Sequence, residues 1–544
     1  MTLTQIKSIW QRPVPRIAQT IVCGMAVYAL AASVTLAQNA SSTPQDATAT
    51  PENATATPQD TAGAQQKVAT TTVYVRKNAS SPAAKADLDA LNLAIGKMKK
   101  LGCADPTSWY YQGGIHWVPD DKNDGSNLGK GNPLCSSYNG TTAALKAAWD
   151  NCTHQQGMEL HFLVWHRLYI YYLEDIVRAK SGKADFALPY WNYVDQKDAL
   201  MPAVFADKKS NLYEPARCTV LNQKKPIESK EYGPGKDLDI TLLMKKTHYS
   251  AFNSTIDAAP HGAMHNYIGG GTDEETFLNR IYQATLPDQG GVMSQVPSAA
   301  FDPIFWVHHA EIDYIWQQWM NSPKGQKPNL AQLKAAPIPY NFFDRNGKPV
   351  TLTVDQAYTM AFSLPVTYDT MKVASLVEAK QLMSEKVEET VTEPMEIAHS
   401  ATPQVVKGKE TSLSMKMEMK AGLNDLVAPE PNHRLVLHLL VSFAKEPKGS
   451  YHVYLVNDAD KQSPSAPTFI GHMTFFGAAH HARHAAAKAE PGHEHKMTKN
   501  FEFNVSEQID PKTFNGNLHL VVKKDGDPKE QDELTVEEQS LKMQ

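Results

Sequence analysis

A pair of adjacent histidines, His308 and His309, stands inside the run Asp302-Pro303-Ile304-Phe305-Trp306-Val307-His308-His309-Ala310-Glu311-Ile312-Asp313-Tyr314-Ile315-Trp316. A run this apolar belongs in a protein interior. A buried imidazole without a partner is costly there, so a chain needs a reason to bury two. Imidazole is a good ligand for copper, zinc, iron or nickel. Two other segments supply the reason. One is Cys152-Thr153-His154 with His161 and His166 close behind it, and the other is Pro260-His261-Gly262-Ala263-Met264-His265. Together they hold enough imidazoles for two metal ions. His261 and His265 stand four apart, a spacing that puts both on one helical face.

The chain has 544 residues, too many for one compact core, so two or three domains are expected. Its net charge is −5. With no basic stripe, nucleic acid is excluded as a partner class. Residues 1–37 read as an export signal: Lys7, Arg12 and Arg16 precede an apolar stretch over 17–36, and Thr35-Leu36-Ala37 is a plausible cleavage site. An uncleaved anchor is the other reading of that stretch. The expectation is a periplasmic or secreted protein with no stable membrane association once the signal is cut. Cys23 leaves with the signal. Cys103, Cys135, Cys152 and Cys218 remain, enough for two disulfides, or for one if Cys152 is engaged elsewhere.

Residues 38–70 are rich in Ala, Thr, Pro, Gln and Asp and read as a disordered linker. Helical patterning follows over 84–100, where Leu88, Leu91, Leu93, Ile95 and Met98 supply the apolar positions. Further helices are expected near 141–150, 158–180, 258–267 and 308–321. The charged segment 371–411 reads as a second linker. From 412 the period changes. Leu435–Val441, Tyr451–Val456, Phe469–Phe476, Phe501–Val505 and Leu518–Val522 are strand-like. The domain 412–544 is read as a β-sandwich. The stretch around His480, His481, His484, His493 and His495 is either a metal-delivering tract or a polar loop.

Four blocks occur in order: WHRLYIYYLE (165–174), LPYWNY (188–193), IDAAPHGAMHNYIGG (256–270) and the 302–316 run. In these the chain resembles the tyrosinase / polyphenol oxidase family of type-3 dicopper proteins, over roughly residues 71–370. The resemblance implies a mainly α catalytic domain, whose four-helix core carries a dicopper site among long loops. An all-β sandwich C-terminal domain follows it, acting as a lid. The cofactors implied are two copper ions, with O2 as co-substrate. Copper A would take His116, His154 and His166. His116 follows SWYYQGGI, and His154 lies twelve residues before His166 where many relatives show nine. His161 is read as helix-facing or lying behind a ligand. Copper B would take His261, His265 and His309. His308 would sit behind the ligands, and Asp302 would orient one of them through its distal nitrogen or simply serve a turn.

The same resemblance suggests a thioether between Cys152 and His154, with a disulfide or a free thiol as the other reading. In plant relatives a Glu four residues before the first copper B ligand and an Asn just after it are proposed to hold a basic water. Here those positions are Asp257 and Gly262, a shorter carboxylate and no acceptor. Good oxidation of o-diphenols to o-quinones with weak hydroxylation of monophenols is therefore expected. Val296 falls near a gate residue above copper A, and Asn266 could steer a polar substrate. The partners implied are small phenols and a copper chaperone. The other readings are an o-aminophenol oxidase, and a hemocyanin-like oxygen carrier, against which the single copy of the unit counts.

Overall fold

The computed structural model describes residues 72–116, 159–269, 292–371, 385–390, 394–420, 434–456, 467–476, 497–510, 514–524 and 533–543, with short gaps at 216, 218, 226, 228–234, 295, 445–446 and 448–449. All of them fall in one compact unit, Ala69–Gln544. Cys135, Cys152, His154, Cys218, the His480–His495 tract, the helix expected near 141–150 and the export signal lie outside the described residues. No helix among the described residues is long and apolar enough to cross a membrane.

The N-terminal part is helical. β1 (Tyr74–Arg76) leads to α1 (Lys85–Met98). The Ser81 hydroxyl accepts from the Ala83 N–H, and Pro82 begins the turn that enters α1. Leu91, Ala94, Ile95 and Met98 face the core, whereas Leu93 is exposed, so it drops out of the expected apolar face. α2 (Trp109–His116) is buried on every side. α3 (Phe162–Ser181) buries most of its length and stops at Gly182, whose φ of 80° gives the left-handed cap. α4 (Tyr249–Ile256) and α5 (Ala263–Gly269) flank an irregular turn at Asp257–Gly262. α6 (Ile304–Asn321) carries the histidine pair, the short hairpin β2–β3 (Tyr340–Phe343, Pro349–Leu352) follows, and α7 (Val354–Ala361) opens with a capping box between Thr353 and Gln356.

A buried ion network locks this scaffold. β1 pairs in parallel with β4 (Val366–Tyr368). Arg76 on β1 donates to both carboxylate oxygens of Glu174 on α3, at 2.9 and 3.0 Å, and to Asp313 Oδ2 on α6 at 2.7 Å. Asp313 also accepts from Arg167 Nε and the Tyr368 hydroxyl, each at 2.5 Å. Two cations are thus matched by two anions in an interior where either alone would be costly. The network joins the helix of His166 to the helix of His309.

The C-terminal part is an antiparallel sandwich. One sheet has four strands in the order β11-β10-β13-β7, and the other runs β12-β9-β14-β5-β8, with β6 also pairing β14. Their ranges are β5 Met395–Ser400, β6 Gln404–Lys407, β7 Glu410–Lys416, β8 Glu418–Met419, β9 Leu435–Phe443, β10 Ser450–Val456, β11 Thr468–Thr474, β12 Met497–Asn504, β13 Asn517–Lys524 and β14 Glu533–Met543. Inward residues such as Leu437, Val453, Met473, Leu520 and Val536 form a core of their own.

The expected boundary at 412 is corrected. β5 and β6 lie inside the segment 371–411 read as a linker. Their backbone donors and acceptors are satisfied by β14, a pairing no local composition could announce. Within the same segment Glu389 is buried and accepts from the Ser250 N–H at 3.0 Å.

Candidate metal centre and its cover

Five elements deliver the imidazoles. His116 ends α2, His166 lies one turn into α3, His261 sits in the Asp257–Gly262 turn, His265 is on α5, and His308 and His309 are on α6. All six are buried. His261 and His265 were expected on one regular helix. Instead Pro260, which lacks an N–H and follows a cis peptide bond, sits in an irregular turn, and α5 begins only at Ala263. The two rings still lie 4.6 Å apart, centroid to centroid.

Backbone carbonyls set the tautomers. His116 Nδ1 meets the Val296 carbonyl at 3.0 Å, His166 Nδ1 that of Phe162 at 2.9 Å, His261 Nδ1 that of Asp257 at 3.1 Å and His265 Nδ1 that of Met293 at 2.8 Å. A carbonyl can only accept, so each Nδ1 carries the proton and each Nε2 keeps a lone pair. Among the described residues His116 Nε2 and His265 Nε2 have no hydrogen-bond partner, nor do His308 Nε2 or either nitrogen of His309. Buried lone pairs of this kind are what a metal would satisfy. Burial pushes the pKa of His265, His308 and His309 well down, and the neighbouring imidazoles push it further. These rings are therefore neutral, the form that ligates.

His261, His265, His308 and His309 offer donor atoms that all lie within 4.8 Å of one another. The rings of His116 and His166 are 5.7 Å apart, and His166 stacks on His309 at 4.2 Å. The donor set fits copper in its all-imidazole character. The third copper A position expected, His154, and its thioether partner Cys152 lie outside the described residues. His161 is not a ligand: its nitrogens meet the Tyr340 hydroxyl at 2.9 Å and the Ala336 carbonyl at 2.8 Å. His308 joins the cluster directly, with Nδ1 2.9 Å from the Tyr193 hydroxyl of the LPYWNY block.

Of the two readings given for Asp302, the turn role is the one the structure shows. Asp302 does not orient a histidine. It forms a fully buried ion pair with Arg217, at 2.8 Å from Nε, and caps α6 by accepting from the Ile304 N–H at 3.0 Å. The carboxylate beside a ligand ring is that of Asp257, whose Oδ1 lies 2.9 Å from His261 Nδ1, next to its own backbone carbonyl at 3.1 Å. A carboxylate on the distal nitrogen fixes a ligand's ring and raises its basicity. Asp257→Ala is therefore expected to weaken copper retention at His261 about 10- to 100-fold, read as copper lost on dialysis against graded chelator. Retention equal to the parent chain would remove Asp257 from this role. Cys103 is disulfide-bonded, to a partner outside the described residues.

The C-terminal sandwich covers this cluster. Phe476, just past β11, stacks on His265 at 4.1 Å with 18° between the rings, and its edge meets His261 at 5.8 Å. It packs on Val296, which is fully buried. Thr474 donates to the Ala258 carbonyl at 3.0 Å. A Cβ added at Gly262 would come within 3.1 Å of both the Thr474 hydroxyl oxygen and the Asp257 carbonyl, so Gly262 makes room for the cover as well as lacking an acceptor. Asn266 is half-buried, with an Nδ2 that has no hydrogen-bond partner among the described residues. Phe476, Thr474 and Tyr193 carry no local signal of their roles. Phe476 reads in sequence as the end of a strand.

Comparison with known proteins places part of the chain in a family. A family model, the common central domain of tyrosinase, matches residues 106–234 and 204–322. Residues 106–322 form a tyrosinase-family domain. The tyrosinase HcTyr1 of Hahella sp. (strain CCB-MM4) is 28% identical over 298 residues, covering 50% of this chain and 61% of its own length. The chloroplastic polyphenol oxidase of Spinacia oleracea is 26% identical over 329 residues, covering 52% and 46%. The chain thus spans about half to three fifths of these relatives. Among solved structures, latent apple tyrosinase is similar with a TM-score of 0.52 and 17% identity, covering 88% of this chain and 98% of that one. A latent aurone synthase gives 0.53 and 15%, covering 87% and 89%. At such identities the likeness is one of fold, and it takes in both the helical tyrosinase domain and the sandwich.

Proposed function

We propose that the chain is a dicopper oxidoreductase that uses dioxygen to oxidise o-diphenols to o-quinones, with weaker hydroxylation of monophenols, and that its sandwich domain keeps it latent. The observation that carries this reading is the cluster of buried, neutral imidazoles under Phe476. His116 and His166, with His154, would hold one copper, and His261, His265 and His309 the other. A copper pair held by neutral imidazoles supplies two-electron redox chemistry with dioxygen. Each o-diphenol gives up two electrons and two protons, and two diphenols reduce one O2 to two waters.

This chain's own residues set the rest. Backbone carbonyls and Asp257 hold the imidazoles in the ligating tautomer. Tyr193 steadies His308 beside His309. Hydroxylation needs the phenol proton removed by a group within hydrogen-bond reach. Asp257 already faces His261, and Gly262 has no side chain to help it. Phenol oxidation by an exported protein also agrees with residues 1–37, which read as a signal.

The test is an assay of the copper-loaded protein, intact and nicked by protease between 371 and 393, on a catechol and its monophenol counterpart. Quinone from the catechol, with at least about tenfold less from the monophenol, is expected, tenfold being about 1.4 kcal/mol in barrier. Equal rates on both would show a base other than Asp257. Reversible oxygen binding without oxidation by either form would overturn the enzyme reading in favour of a carrier.

A further inference from the structure

A second cluster of metal-ligating side chains lies apart from the tyrosinase centre, where the sandwich meets the helical domain. His452 on β10 and His472 on β11 are direct cross-strand partners, so both side chains leave the same face of the sheet. Their rings are 5.1 Å apart. Into the gap comes Asp237 of the helical domain, which is buried. Its Oδ1 lies 2.9 Å from His452 Nε2 and 2.5 Å from His472 Nδ1. One carboxylate oxygen and two ring nitrogens all lie within 4.8 Å of one another. The ring of Phe469 flanks both imidazoles, at 5.9 and 4.8 Å.

The contact to His472 is the informative one. Its Nδ1 makes no aligned hydrogen bond among the described residues, although a carboxylate oxygen stands 2.5 Å away. The N–H and the oxygen are therefore misaligned. A buried ring nitrogen beside a carboxylate without an aligned hydrogen bond is a polar atom that a cation would satisfy.

We propose that Asp237, His452 and His472 bind a divalent transition metal, zinc being the best match, and that this ion pins the sandwich to the helical domain. Two imidazoles and a carboxylate are a recurrent three-ligand set for zinc, with a water in the fourth place. Ligands about 2.0 Å from a tetrahedral ion stand about 3.3 Å apart, so binding needs the two histidines to draw back from Asp237 by under about 1 Å. Because the ligands come from both domains, metal and domain closure are linked. The consequence for latency rests on the proposed function above, whereas the metal site itself does not.

The experiment titrates copper-loaded full-length protein with Co2+, followed by visible absorption, and repeats it with Zn2+ by metal analysis after dialysis. Parent protein is expected to bind one ion that gives the intense bands of four-coordinate Co2+. His472→Gln and His452→Gln are expected to lose those bands and one equivalent of zinc while keeping their copper, which shows that they are folded. His438→Gln, on a different sheet, should match the parent. No such bands in the parent, or bands unchanged in His472→Gln, would overturn the site. If His472→Gln relieves latency while the parent binds no Co2+, the cluster is a hydrogen-bonded latch and the metal proposal fails. If the Co2+ bands behave as expected but Phe476→Ala leaves activity unchanged, only the latency reading fails.

Discussion

Replacing Phe476 with alanine in the full-length chain is expected to raise quinone formation from a catechol by at least about tenfold. The Phe476 ring lies nearly parallel to His265 at 4.1 Å. A phenol approaching the cluster from that side needs the same space. Truncating a buried Phe forfeits up to about 3–5 kcal/mol of packing. A tenfold shift needs only about 1.4 kcal/mol, so even a partial loss at this interface suffices. The remaining ties near the cluster, from Thr474 to the Ala258 carbonyl and from Arg434 to Ser250 at 3.1 Å, are single hydrogen bonds, and the Asp237 contacts to His452 and His472 lie apart from it. Rates on a catechol for parent, variant and nicked protein check this. A variant as slow as the parent, beside a nicked form that is fast, would place the obstruction elsewhere in the sandwich. Equal rates in all three would remove the lid altogether.

Asp313→Asn is expected to destabilise the helical domain by about 3–5 kcal/mol, because it leaves a buried guanidinium uncompensated. Arg76 keeps Glu174 as a partner, but Arg167 loses its only anion among the described residues and retains Gln317, the Ala361 carbonyl and the face of Trp316. Both copper-carrying helices then lose their common tie, so copper should be lost from both centres together. Thermal unfolding of the copper-loaded variant reads the stability and metal analysis reads the retention. An unfolding midpoint within a degree of the parent would show that the network contributes specificity instead of stability. The pH dependence has a definite sign. Burial raises the Asp313 pKa, but Arg167 and Arg76 outweigh it and hold the pKa below the usual value. A depressed carboxylate stabilises fully above its unfolded pKa of about 3.9 and loses that contribution only as pH falls through the folded value. The network therefore survives mild acid.

Much of the centre was legible in the chain. Helical patterning over 84–100 and 158–180 matches α1 and α3, and the strand-like runs from Leu435 to Val522 match β9 to β13. Both readings rest on periodicity, which is local. Five of the six histidines that the family resemblance names come together, four of them on helices and His261 in the irregular turn before α5. The misreadings share one cause. β5, β6 and β14 are polar or charged, and they are strands because they pair with one another and with β9. The sequence MEIAHS carries too little alternation to stand out from a charged linker. Asp302 and Asp257 are both acids close to ligand histidines, and only the position of Arg217 decides which of them is free to serve an imidazole.

The sequence by itself carried the metal-binding character of the histidine segments and the change from helical to strand period, since these follow from side-chain chemistry and from short-range pattern. Only the tertiary structure decided what covers the centre and what clasps the cover in place. Phe476 meets His265, and His452 meets Asp237, 215 residues away. Such contacts come from how two independently formed cores dock, and no local pattern in either partner carries them.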